Sequence, residues 1–167
     1  LGKTRTEGYW LQDAWDINQN WNFTFGGRFE NWHAYDGVNT TTVGSGLQTV
    51  NQTNKSAFNF SPKGKLTWSP IDRVKFGAAI GQAYRYPTAA ELFQTSIVGS
   101  GATAIAVNGN PNLRPEDAVS SELSAEYFPD KGRMRLSLFQ ERVKDAIFSQ
   151  VGLATNPITF ITQHSTF

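Results

Sequence analysis

Between Trp21 and Glu30, Trp21, Phe23, Phe25 and Phe29 alternate with Asn22, Thr24, Arg28 and Glu30. A period of two sends successive side chains to opposite faces, which makes the stretch an extended strand with one apolar and one polar side. The pattern recurs. Phe58, Phe60, Leu66 and Trp68 stand against Asn59, Ser61, Lys63, Lys65 and Thr67, and Val74, Phe76, Ala78 and Ile80 against Lys75, Gly77, Ala79 and Gly81. Further on, Val119, Leu123, Ala125 and Tyr127 alternate with Ser120, Glu122, Ser124 and Glu126, and Met134, Leu136 and Leu138 with Arg133, Arg135, Ser137 and Phe139. A rougher first segment holds Tyr9, Leu11, Trp15 and Ile17, with Asp13 breaking its apolar face. The count is six strands and part of a seventh near residues 158–167.

The connections alternate strictly in length. Residues 18–20, 69–72 and 128–132 are tight links rich in turn residues, whereas 33–56 and 83–116 are long excursions. Short turns at one end of a sheet, long polar loops at the other and aromatic residues beside the turns describe an outer-membrane barrel. Trp15, Trp21, Trp68 and Tyr127 are those aromatics. Alternation alone fits equally a sheet with one face on a protein core and one in water. The polar faces, with Arg28, Glu30, Lys63, Lys65, Lys75, Glu122 and Glu126, are too charged for a dry interior, so the apolar faces are assigned to lipid. Charged residues make up 17% of the chain, below the ~25% of soluble domains, as expected when one strand face meets lipid. No apolar run approaches the ~20 residues of a spanning helix, so strands must do the crossing.

Several classes of function drop out. A net charge of +1 without a basic run lacks the footprint that neutralises phosphates, so no nucleic-acid partner is expected. With no cysteine there is no thiolate metal site and no thiol nucleophile. His33 and His164 stand in no metal-binding spacing, and Glu122 and Glu126, ~13 Å apart on one strand face, are too far apart for paired glycosidase carboxylates. No catalytic residue, resident cofactor or metal is expected.

Three stretches resemble the TonB-dependent outer-membrane receptors, the active importers of Gram-negative bacteria. Tyr9-Trp10-Leu11-Gln12-Asp13, then Phe25-Gly26-Gly27-Arg28-Phe29, is similar to the family's aromatic-x-x-Gln-Asp and Gly-x-Arg-aromatic strands. Tyr84-Arg85-Tyr86-Pro87-Thr88-Ala89-Ala90-Glu91-Leu92-Phe93 resembles its aromatic-Arg-x-Pro-Thr…Glu-Leu segment. Gly109-Asn110-Pro111-Asn112-Leu113-Arg114-Pro115-Glu116, then Ser121-Glu122, resembles its Gly-Asn-Pro-x-Leu-x-Pro-Glu box and the Glu of the next strand. Phe60-Ser61-Pro62-Lys63 and Val143-Lys144-Asp145-Ala146-Ile147 fit the intervening pattern, and order and spacing hold from about residue 8 to 148.

The resemblance implies an all-β fold, an antiparallel transmembrane β-barrel segment of about seven strands from a ~22-stranded barrel. Residues 1–167 are then expected to be part of one barrel domain, with the plug, the TonB-engaging box and the remaining strands absent. It also implies uptake of a scarce, large nutrient across the outer membrane, with TonB, outer-membrane lipid and the nutrient as partners. An iron–siderophore complex is the first expectation; an oligosaccharide or cobalamin is the alternative. A passive porin or adhesin barrel and a soluble carbohydrate-binding β-sandwich are the rivals from other classes.

Ligand capture is expected from the long loops, through Trp32, His33, Tyr35, Tyr84, Arg85 and Tyr86, whose rings, amide neighbours and charge suit an aromatic chelate or a sugar. Gln12, Asp13, Arg28, Arg85, Pro87, Glu91, Asn110, Pro111, Leu113, Pro115, Glu116 and Glu122 are the motif residues and are expected to be structural. Pro87, Pro111 and Pro115 fit where strands leave the sheet. Thr88 with Glu91 fits a one-turn helix cap, and Arg85 is positioned to pair with Glu116 at the barrel mouth.

Overall fold

The computed structural model describes residues 2–43, 46–98, 105–150 and 158–166. In chain order the elements are β1 (Lys3–Asn18), β2 (Trp21–Tyr35), β3 (Val38–Val43), β4 (Gly46–Asn51), β5 (Lys55–Ile71), β6 (Val74–Arg85), α1 (Ala89–Phe93), β7 (Thr95–Val98), β8 (Ile105–Asn108), β9 (Glu116–Tyr127), β10 (Met134–Gln150) and β11 (Ile158–Thr166). Seven of these, β1, β2, β5, β6, β9, β10 and β11, form an antiparallel meander in that order. They are the seven strands read from the alternation. The two long excursions carry structure of their own: β3 and β4 make a separate hairpin, and β7 and β8 make another whose β8 runs parallel to the start of β11.

The register is continuous across five strands. Gly26, Lys63, Gly81, Ser120 and Glu141 lie on one row, and Thr24, Lys65, Ala79, Glu122 and Phe139 on the row beside it. Alternation therefore agrees from strand to strand, and the sheet has one apolar and one polar face. The apolar face is bare: Leu11 is 79% exposed and Leu138 65%, which in a folded protein marks a surface meant for lipid.

The upper limit of this apolar band fixes the strand tilt. On β2 the last apolar residue of that face is Phe29; on β10 it is Leu138. Gly26 shares a row with Glu141, so Phe29 is level with Lys144, six residues above Leu138. Six residues of strand are ~20 Å, and the four intervening strand spacings are ~19 Å, so the band crosses the strands obliquely, as it does in membrane barrels tilted by roughly 35–45°.

Near the short turns, Trp21 stacks on Trp68 at 5.5 Å and Trp68 on Phe76 at 5.5 Å, a row of rings at the lower edge of the band. Asn18 Oδ1 accepts from the backbone N–H groups of Asn20 and Trp21 and closes the first turn. Arg73 and Asp130 pair at 2.6 Å between the other two turns. Asp13, on the apolar face, has its carboxylate hydrogen-bonded locally, accepting from Trp15 Nε1 at 2.5 Å and the Ala14 N–H at 2.9 Å.

Pro62 marks where the sheet divides. It lacks an N–H, and the β5–β6 pairing ends beside it, at Lys63–Gly81. Above that point β5 continues only against β2, up to Lys55–Ala34, while β6 continues only against β9, up to Arg85–Glu116. The long loop after β6 folds back beside this division.

Candidate functional site

The buried apolar residues of the described chain gather at the long-loop end: Trp32, Ala34, Leu92, Phe93 and Leu113, with Ala57, Tyr86, Ala89 and Ile147 against them. Trp32 and Ala34 lie on the polar face of β2, in phase with Glu30 and Arg28. The loop core therefore sits inside the barrel wall.

Two sequence boxes build it by docking on each other. Thr88 caps α1, its hydroxyl accepting from the Glu91 N–H while Glu91 Oε2 accepts from the Thr88 N–H at 2.8 Å. This reciprocal arrangement satisfies donors that a helix start leaves open and aims Leu92 and Phe93 into the core. Against the end of α1 lies the second box: the Gly109 N–H donates to the Gln94 carbonyl at 2.5 Å, and the Asn110 N–H to the Glu91 carbonyl at 2.8 Å. A Cβ at Gly109 would stand 2.7 Å from Leu92 C and from Phe93 N, so only glycine allows this approach. Asn110 then turns the chain, accepting from the Asn112 N–H through its side chain and from the Leu113 N–H through its carbonyl, and drops Leu113 into the core. Pro87 is fully buried beside them.

Arg85 joins this core to the wall. Its guanidinium pairs with Glu91 and lies 3.5 Å from Glu116 Oε1, and Glu116 also accepts from the Ile147 N–H of β10. Burial would push the Glu91 carboxyl up, but the Thr88 N–H and the Arg85 guanidinium outweigh it and hold the group below its ordinary range. Tyr86 stacks on Trp32 at 5.7 Å and donates to Asn59 Oδ1 at 3.2 Å, across the divided sheet. Burial, with Glu30 nearby, pushes its hydroxyl up to about 12, so it stays a donor. Two cations share the rim: burial and the charge of Arg114 lower the pKa of Lys55.

Of the six residues expected to meet a ligand, the structure brings Trp32, Arg85 and Tyr86 together and leaves three elsewhere. His33 and Tyr35 alternate to the face opposite Trp32 and Ala34, with Lys3 5.8 Å from the Tyr35 ring. Tyr84 alternates away from Arg85 and accepts from Gln82, which also donates to Asp117. Among the motif residues, Arg28 pairs with Glu30 at 2.7 Å and Glu122 with Arg135 at 2.6 Å, while Gln12 lies on the row of Gly26 and Lys63. Pro115 directly precedes β9 and Pro111 lies in the Asn110 turn. Leu92, Phe93 and Gly109 were not singled out as site residues. Their signal was local: two apolar residues straight after the capping pair, and a glycine opening the second box.

Residues 2–165 match the family described as TonB dependent receptor-like, beta-barrel. Over 102 residues the chain is 35% identical to the heme/hemopexin utilization protein C of Haemophilus influenzae, covering 53% of this chain and 14% of that protein. Over 150 residues it is 28% identical to the iron-regulated outer membrane virulence protein of Vibrio cholerae, covering 88% of this chain and 19% of that one. The chain thus spans under a fifth of these relatives. Among solved structures, the Serratia marcescens hemophore receptor HasR, determined with its hemophore HasA and heme, superposes with a TM-score of 0.75 at 14% identity, over 96% of this chain and 30% of that one. That likeness concerns the fold.

Proposed function

Since the chain belongs to the TonB-dependent receptor β-barrel family, we propose that it forms part of the wall and mouth of an importer for an iron-bearing ligand, either haem or a ferric siderophore. Members of the family are transport receptors rather than enzymes, and the apolar band lies in the outer membrane of a Gram-negative cell. The bare apolar face and the continuous antiparallel meander weigh against the sandwich alternative. The names of the Haemophilus and Vibrio relatives support iron over an oligosaccharide or cobalamin.

The observation that carries the reading is the ordered mouth. The two boxes lock into a small dry core on the inner side of the wall, and Arg85 ties that core to three strands. A receptor needs its loops held in register for capture, and a loop fastened to the wall meets that need. In this reading Trp32, Arg85 and Tyr86 hold the mouth, and Lys55 and Arg114 offer positive charge to the carboxylates of haem or of a ferric chelate. A plug and a TonB contact elsewhere in the receptor would convert capture into transport.

The test places the complete gene in a receptor-deficient, haem-requiring strain and measures iron uptake from haem and from siderophores, with and without TonB. TonB-dependent uptake of one of them is expected. Uptake that persists without TonB would support the porin alternative, and uptake of neither would remove iron as the cargo.

A further inference from the structure

Across β1, β2, β5, β6, β9 and β10, one charged side chain among the described residues stands at a lipid-facing position of the apolar band: Asp13. Leu11 and Trp15 flank it on the same face of β1, and Phe25 stands opposite on β2. An ionised group in apolar surroundings is costly unless it is paired, and at membrane depth it calls for a partner. Two donors reach it, Trp15 Nε1 at 2.5 Å and the Ala14 N–H at 2.9 Å. They fill about half of the acceptor positions of a carboxylate and leave its charge in place. Asp13 has no ion-pair partner among the described residues.

Its neighbours are aromatic. The Trp15 ring meets Phe25 edge-on at 5.2 Å and Phe23 at 6.4 Å, and Phe23 stacks on Phe25 at 6.0 Å. Ring faces attract cations, so a carboxylate at the border of three rings suits an ammonium group. The depth agrees. Phe25, level with Asp13, is four residues above Trp21, and the obliquity of the band sets β1 lower than β2 by ~1.5 residues. With the strands tilted, Asp13 lies about 7 Å above the ring row. Short turns face the periplasm in such barrels, which puts this carboxylate near the headgroups of the inner leaflet.

We infer that Asp13, with the rings of Trp15 and Phe25, binds the ammonium headgroup of an inner-leaflet phospholipid of the ethanolamine type. The inference rests on the apolar face meeting lipid. One molecule then completes the patch: its amine compensates the carboxylate, and its acyl chains cover Leu11 and Phe25, which are 79% and 40% exposed. A hydrated metal cation supplies the charge without the chains, and a glycerol headgroup brings the chains without the positive charge.

The experiment reconstitutes the complete receptor in vesicles of phosphatidylethanolamine and phosphatidylglycerol in equal amounts with matched acyl chains. Native mass spectrometry counts the lipids each receptor retains, and a membrane-permeant carbodiimide couples carboxylates to amines in contact with them. The expected result is retention of the ethanolamine lipid about fivefold over the glycerol lipid, with amide-linked lipid on the peptide that carries Asp13. Asp13→Asn should remove the preference, and Trp15→Leu, which keeps the carboxylate but deletes the ring, should lower it by about half. Equal retention of the two lipids by the unmodified receptor overturns the proposal, as does a preference that survives Asp13→Asn. A carbodiimide link from Asp13 to a lysine of the same receptor assigns the counter-charge to the protein and overturns it too. Retention of neither lipid would sink the lipid-facing assignment, and the inference with it.

Discussion

Replacing Glu91 isolates what fastens the loop to the barrel wall. Its carboxylate makes both halves of one arrangement: it receives the Thr88 N–H and hydroxyl at 2.8 and 3.0 Å, and it pairs with Arg85. Glu91→Ala removes the cap's return arm, about 1 kcal/mol. It also removes a charge-assisted bond, discounted to about 1 kcal/mol because the Arg85 side chain is 46% exposed. The sum of about 2 kcal/mol corresponds to roughly thirtyfold more frequent opening of the loop. Glu91→Gln keeps the cap, since Gln serves at that position, and loses only the ionic part, so it should open the loop about fivefold. Hydrogen exchange reads this at four amides: Leu92, bonded to the Thr88 carbonyl, Gln94 to Ala90, Gly109 to Gln94 and Asn110 to Glu91. The alanine variant should deprotect all four together, because the second box is seated on the end of α1. Unchanged exchange in Glu91→Ala, or an equal loss in both variants, would refute the division into cap and ion pair.

The same carboxylate gives the pH dependence. Its pKa is depressed below the ordinary 4.5, so its contribution is fully present above that value and is lost as pH falls through the lower folded-state value. Loop protection should be flat above about pH 5 and decline below pH 4.5, and Glu91→Gln should remove that decline. Gly109→Ala forces a Cβ onto backbone atoms of Leu92 and Phe93 that cannot yield; a cost of about 1–3 kcal/mol should appear as faster proteolysis between Thr88 and Leu113. Trp32→Ala empties the mouth core and should destabilise it by about 3–5 kcal/mol, read as lost protection at Tyr86 and Leu113 with the lower strands unaffected. Leu136→Arg puts a charge on the lipid face and should cost about 2–4 kcal/mol in a bilayer refolding titration. A neutral result there would contradict the membrane assignment.

What the sequence disclosed about this chain depended on how far apart the partners lie. Alternation is a property of neighbouring residues, so strand faces, the interrupting Asp13 and the ring row at the short turns were all legible before any pairing was known. The capping pair Thr88 and Glu91, three residues apart, was legible for the same reason; the pairing of Arg85 with Glu116, far apart in the chain, was legible only because the two charges flank one loop. The docking of Gly109 on α1 was not: nothing local in Gly109-Asn110-Pro111 says which backbone it must approach. The hairpins inside the excursions were also missed, because Thr- and Asn-rich segments such as Val38–Val43 carry little apolar contrast. One signal was present and easily misread. The alternation fails after Glu30, which suggests that the strand stops there, yet the β2–β5 register runs on unbroken to Ala34. Hydrophobicity changes face while the backbone does not. In a strand whose outer side meets lipid, an apolar residue in the wrong phase therefore reports a contact on the inner side, as Trp32 makes with the loop core.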